Sequence, residues 1–259
     1  MIQVENLHKS FDGIPVLEGI STTFQKGITN LIIGASGSGK TVFLKSLLGI
    51  HTPDSGEIYY SGLRLNEISK NQYMQLRQEM GMVFQGSALF DSKNIGDNVR
   101  FPLEMFTKLT QKEMNHRVDE VLERVNLHNV NSKYPSEISG GMQKRVAIAR
   151  AIVMNPKYLF CDEPNSGLDP NTAILIDELI QEITREYQMT TIINTHDMNS
   201  VMQIGESIVF LKNGFKEWEG THKEIFKTDN EAVTNFVYSS ALFKKVRQMY
   251  IIEDQEIKE

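Results

Sequence analysis

With 259 residues, 40% of them apolar and 23% charged, the chain has an ordinary globular composition and material for one large α/β domain or a core with a smaller subdomain, which excludes disorder and fibrous structure. A formal charge of −6 argues against non-specific nucleic-acid binding, and the single cysteine, Cys161, excludes an internal disulfide or a cysteine cluster for zinc, as a reducing compartment would have it. No apolar run approaches the roughly 20 residues of a spanning helix, and MIQVENLHKS lacks the charged-then-apolar layout of a signal peptide, so the chain is expected in the cytosol.

The first elements read as β structure. Ile2 to Leu7 and Leu17 to Phe24, with turn residues at Asp12-Gly13 and Lys26-Gly27, join Glu57 to Tyr60 as an antiparallel flank. Thr29 to Ile33, Tyr158 to Cys161 and Thr190 to Asn194 are continuous apolar or β-branched runs, the pattern of strands buried on both faces. Between the first two of these lies LTQKEMNHRVDEVLERVNL. It opens on a capping box, Thr110 with Glu113, and repeats Met114, Val118, Val121, Leu122 and Val125 at helical spacing. Lys212-Asn213-Gly214 predicts a hairpin between SIVFL and FKEWEG. Beyond Thr221 the pattern is helical, with Phe226, Val233, Phe236 and Val237, and the charged EDQEIKE that closes the chain is expected to be mobile. No internal repeat or low-complexity linker interrupts this order, and alternating strands and helices predict a largely parallel sheet.

Chemistry enters at GASGSGKT: Gly34, Ala35, Ser36, Gly37, Ser38, Gly39, Lys40 and Thr41 satisfy GxxxxGK[ST] between an apolar strand and the helix-like VFLKSLLG, which begins at Val42. Glycines let backbone N–H groups converge on phosphate oxygens, and the helix that follows presents its positive end to the same anion. Lys40 is expected to bridge the β- and γ-phosphates, with the Thr41 hydroxyl on Mg²⁺. A second signal is KYLFCDEP, an apolar strand ending in two acids at its C-terminal edge. Asp162, first out of the strand, suits a water-mediated partner of Mg²⁺; Glu163 suits orienting or deprotonating an attacking water.

Together these residues resemble the ATP-binding cassette (ABC) family, over about Ile2 to Thr221. The resemblance implies an α/β fold: a P-loop NTPase core with a mostly parallel sheet, an antiparallel β flank and an inserted helical subdomain. Residues 1–86 and 158–225 would form the ATP-binding core, 87–157 the inserted signature subdomain, and 226–259 a C-terminal extension. Phe11 looks like the aromatic on which adenine stacks, Val16 like its apolar neighbour, and Gln85 in VFQGSALF like the glutamine that touches the metal and senses the helical subdomain. ISGGMQKRVAIARA looks like the family signature, in which Ser139, Gly140, Gly141 and Met142 would meet ATP held by the other subunit. Asp169 in SGLDP would cross the seam between subunits, and His196 in THD would be the switch histidine contacting the γ-phosphate. The resemblance thus implies an active ATPase using ATP and Mg²⁺, with Glu163, His196 and Lys40 catalytic, working as a homodimer on integral membrane permease subunits at the cytoplasmic face of the inner membrane, with no nucleic acid as partner.

Three positions depart from the family's usual pattern: Met142 for glutamine, Cys161 for an aliphatic, and Asn165 for threonine or phenylalanine. SGGM before a basic pair, and GSALFDSKNIGDNVRFPL, are similar to the Mla-type ATPases that move phospholipid between membranes, which implies a lipid cargo and a lipid-binding subunit. An importer of amino acids, metals or other small solutes is the alternative. A soluble ABC protein acting on ribosomes or DNA is a further one, to which the single cassette and the lack of a long coiled coil run counter.

Overall fold

The computed structural model describes residues 1–238; the closing EDQEIKE and the greater part of the expected C-terminal extension lie outside the described residues. In chain order the first half comprises β1 (Ile2–Phe11), β2 (Ile14–Phe24), β3 (Thr29–Ile33), α1 (Lys40–Leu47), β4 (Ser55–Tyr60), β5 (Leu63–Arg64), α2 (Lys70–Gln78), β6 (Met80–Val83), α3 (Ile95–Phe106) and α4 (Gln111–Arg124). There follow α5 (Gly140–Ile152), β7 (Tyr158–Asp162), α6 (Pro170–Glu186), β8 (Thr190–Thr195), α7 (Met198–Ile204), β9 (Ser207–Lys212), β10 (Phe215–Gly220) and α8 (Glu231–Val237).

Two sheets result. The antiparallel flank runs β2-β1-β4-β5, and the central sheet runs β10-β9-β3-β8-β7-β6, parallel from β9 to β6 with only β10 antiparallel. Every residue of β3 and β8 is buried, because both faces of this sheet are covered. The period of two along a strand sorts their side chains into two cores. Leu31, Ile33, Leu159, Cys161 and Ile193 face a core shared with the helices α3 to α7, whereas Ile32, Phe160 and Ile192 face the antiparallel flank and α1. Cys161 is therefore a small buried hydrophobe, and burial pushes its thiol well above the ordinary range.

Local signals act as expected at two places. Thr110 caps α4 by accepting from the Glu113 N–H, while Glu113 accepts from the Thr110 N–H at 2.7 Å. Asn213 and Gly214, with φ of 50° and 86°, make the two-residue turn between β9 and β10. Among the elements that the sequence does not single out are β6 and α2. β6 is only four residues long, and α2 is a polar helix capped by Ser69 and Gln72. Gly81 in β6 reflects a close approach: a Cβ there would fall inside the van der Waals shell of the Ala151 carbonyl at the end of α5. The helices α3, α4 and α5 all lie between β6 and β7, where the helical insertion is expected.

Candidate functional site

The phosphate loop joins β3 to α1 and is shaped by crowding. A side chain at Gly34 would collide with the Leu211 carbonyl; one at Gly39, which holds φ 100° before α1, would meet Leu17 Cδ2 at 2.8 Å and the Val16 carbonyl at 2.9 Å. The loop therefore presents its backbone and the first turn of α1, which carries no acidic residue, to a cavity of about 690 Å³. Val16, Ala35, Ser36, Gly37, Gly39, Lys40, Thr41, Val42, Gln85, Asp162, Glu163 and His196 all line it.

Lys40 is buried, and its ammonium donates to the carbonyls of Gly34 at 2.8 Å and Ala35 at 3.0 Å. Burial lowers its pKa, against the pull of Glu163 and Asp162. Thr41 is exposed to the cavity; Ser38 is buried, and its hydroxyl is without a hydrogen-bond partner among the described residues. Ser38 does not border the cavity, so its unspent hydroxyl lies behind the loop, while the Lys40 cation within a glycine-rich loop suits an anion.

The two acids sit opposite. Asn194, at the end of β8, donates its side-chain amide to Asp162 Oδ1 at 3.1 Å and so orients that carboxylate. Glu163 follows the strand with φ 46°, a left-handed backbone that costs a non-glycine residue roughly 1 kcal/mol. Its two oxygens are held from separate loops: Gln85 Nε2 donates to Oε2 at 2.9 Å, and His196 Nδ1 lies 2.9 Å from Oε1. Residues far apart in sequence, Gln85 after β6, Glu163 after β7 and His196 after β8, therefore meet in one cluster, because parallel strands deliver their C-terminal ends to one edge.

The remaining predicted residues are placed elsewhere. Phe11 ends β1, 40% exposed, with its ring edge-on to His51 at 5.1 Å and the Lys9 ammonium 5.2 Å from its centroid; it does not border the phosphate-loop cavity. Ser139 caps α5 by accepting from the Met142 N–H, and Asp169 caps α6 by accepting from the Thr172 N–H at 3.1 Å. These two helix starts are neighbours, since a Cβ at Gly141 would lie 2.8 Å from Thr172 Cγ2. None of Ser139, Gly140, Gly141, Met142 and Asp169 lines the cavity of its own chain.

The chain matches the ABC transporter family over residues 17–166, more than half its length. It is 36% identical over 249 residues to a methionine import ATP-binding protein of Carboxydothermus hydrogenoformans, covering 95% of this chain and 74% of that protein. The chain belongs to the ABC transporter family. A "probable ribonucleotide transport ATP-binding protein" of Mycobacterium tuberculosis is 36% identical over 236 residues, 91% of this chain; this cassette spans 66% of that relative's length. Among solved structures, the dimeric cassette MJ0796 bound to ADP and Pi superposes with a TM-score of 0.78 at 30% identity, covering 86% of this chain and 99% of that one. The structure of cbiO1 from Clostridium perfringens, part of the transporter complex cbiONQ, gives 0.82 at 31% identity over 96% and 98% of the two chains. The protein is an ATP-hydrolysing cassette of α/β fold.

Four residues at or beside the cassette's site are not assigned to it by the sequence. Phe236 of α8 borders the phosphate-loop cavity and packs on Phe210 at 5.2 Å between centroids. Asn194 was visible as a polar residue ending an apolar strand. Lys144 and Asp177 gave no signal, since each looks like one more charge on an amphipathic helix and its burial comes only with the fold.

Proposed function

We propose that this cassette is the ATPase subunit of a membrane importer, in which two copies close around two ATP molecules and drive integral permease subunits. The observation that carries the reading is the capture of both Glu163 oxygens by Gln85 and His196 at the mouth of the phosphate-loop cavity. Lys40, Thr41 and the loop amides would hold the triphosphate; Glu163 would set the attacking water in line with the γ-phosphate, and His196 would hold that carboxylate in place. Phe11 and Val16 offer an aromatic and an apolar surface for the base. Ser139, Gly140, Gly141, Met142 and Asp169 stand together on a second surface, where a partner chain's ATP would meet the amide end of α5.

The residues fit a magnesium ion. Among the described residues no three His, Cys, Asp or Glu side chains gather as a metal cluster, so a cation here relies on the Thr41 hydroxyl, Gln85, water and phosphate oxygens, with Asp162 behind them. That donor set suits a small hard ion that keeps its waters. When bound, Mg²⁺ would neutralise charge on the β- and γ-phosphates. Asn194 fixes the Asp162 carboxylate before any metal arrives.

Membrane coupling needs a seat for a partner. No helix among the described residues is long and apolar enough to cross a membrane. An apolar groove of about 300 Å³, lined by Met80, Met82, Phe84, Phe90, Phe101 and Phe106, opens beside Gln85, and we assign it to the permease. On this assignment the cassette would sit peripherally on the cytoplasmic face of the membrane. For cargo, the relatives named for methionine import and ribonucleotide transport favour a small solute over phospholipid. The phospholipid reading rests on Met142 and the stretch after Gln85. Met142 packs partly buried against the helix-side core, which accounts for an apolar residue there without reference to cargo.

Glu163→Gln tests the catalytic reading. The variant should bind ATP, trap an ATP-bound dimer and lose turnover about 100-fold or more; steady-state hydrolysis at the wild-type rate would refute the role of Glu163.

A further inference from the structure

Lys144 lies in the second turn of α5, is only 5% exposed, and has no part in the chemistry above. Its ammonium donates to the backbone carbonyl of Gln85. Six residues on, Arg150 donates to the carbonyls of Ser87 and Ala88, each at 2.7 Å. Ser87 and Ala88 hold φ of 62° and 49°, so the loop after β6 bends through left-handed backbone that these α5 cations hold in place. A lysine is a costly way to satisfy a carbonyl. Burial disfavours its charge, and attraction to Glu163 opposes that effect.

The bonds continue from there. Gln85, held at its carbonyl by Lys144, donates its side-chain amide to Glu163 Oε2, and Glu163 Oε1 meets His196. At the other end α5 begins at Ser139 and Gly141, on the surface assigned to the partner chain's ATP. Lys144 follows that start by little more than one turn: Gly141, Met142 and Gln143 between them are half-buried, the Gln143 N–H donates to the Ser139 carbonyl at 2.9 Å, and the helix beyond is anchored by fully buried Val146 through Ala149. With a single hydrogen-bonded turn between the signature residues and Lys144, a displacement of the helix start moves the lysine with it.

We propose that Lys144 is a positioning residue that couples the signature end of α5 to Gln85 and Glu163 of the same chain, so that ATP engaged by one composite site readies the other. This rests on the dimeric reading above. It adds a physical route between the two sites, and it separates Lys144 from a purely structural contact: loss of its donor changes cooperativity, not only stability.

The test is ATP hydrolysis by the full chain as a function of ATP concentration, with Lys144→Met, which keeps the stem without the donor, and Lys144→Arg, which keeps cation and donor. The wild type should be sigmoidal with a Hill coefficient approaching ~2, the number of sites in the dimer. Lys144→Met should fall to a coefficient of ~1, with kcat reduced about 3- to 30-fold, and Lys144→Arg should restore the sigmoid. A Lys144→Met protein as cooperative as the wild type overturns the proposal. So does hyperbolic wild-type kinetics in a protein whose Glu163→Gln variant still traps a dimer. Failure of Glu163→Gln to trap any ATP-bound dimer instead overturns the dimeric reading, and the proposal falls with it. Should Lys144→Met not fold, Lys144→Gln, which retains a weaker donor, should give an intermediate Hill coefficient, and a wild-type value there counts against the coupling.

Discussion

Asp177 of α6 is 2% exposed and receives the Asn165 amide at 3.1 Å, while that same amide donates to Ser200 at 2.8 Å. Its other oxygen, Oδ1, is buried without a partner. Burial pushes this carboxyl from 3.8 up to about 6, with Asp197 and Glu178 pushing the same way and the Ser200 and Asn165 bonds opposing. Folding thus favours the protonated form. Its contribution is fully present below about pH 4 and is lost as the pH rises through about 6, which leaves a cost on the order of 3 kcal/mol at neutral pH. Asp177→Asn should therefore be more stable than the wild type by about 1–3 kcal/mol at pH 8, and the gap should close toward pH 4.5. Urea unfolding at the two pH values measures it; a difference independent of pH would show that the carboxyl is not the source. Asn165, a departure from the family pattern, finds its reason here: an amide can serve both Asp177 and Ser200, which threonine or phenylalanine cannot.

At the scale of elements, the strongest packing constraint is where β6 passes under the end of α5. Gly81→Ala puts a methyl against the Ala151 carbonyl, so either the strand or the helix must move. We expect a loss of about 1–3 kcal/mol, read as a thermal midpoint lower by about 2–4 °C per kcal/mol in a chain of this size. An unchanged midpoint would mean that the contact relaxes freely. β6 also shows what single-sequence reading resolves. The buried strands β3, β7 and β8 were legible because each is a pure apolar or β-branched run, and α4 because it carries both a period and a cap. MGMV is too short for a period to emerge, and its glycine speaks against a strand until the approach of α5 is seen. The phosphate loop, the acid pair and the THD segment of His196 were legible for a different reason. Each is a local segment at a strand end, so spacing and residue type survive without tertiary information.

For the whole molecule, the exposed Phe84, Phe90 and Phe106 near Gln85 form the proposed permease seat. Phe106→Asp should leave basal ATPase activity within about twofold, as an exposed substitution remote from the phosphates, and should abolish copurification with an integral membrane protein from detergent extracts. Retention of that partner would place the docking seat elsewhere. The captured complex also discriminates the cargo readings: stimulation of hydrolysis by a small solute supports import, whereas stimulation by phospholipid alone would restore the lipid reading.

By itself the sequence carried the phosphate loop and the paired acids, and through the family resemblance the ATP-hydrolysing activity, because these depend on residue identity over a few consecutive positions. Only the tertiary structure decided which side chains restrain one another. Gln85, Glu163 and His196 meet because three parallel strands end at one edge, Asn194 turns Asp162 from the neighbouring strand, and Lys144 reaches the Gln85 carbonyl because α5 packs against β6. Those contacts span tens of residues, and no local pattern encodes them; they follow from sheet order and burial.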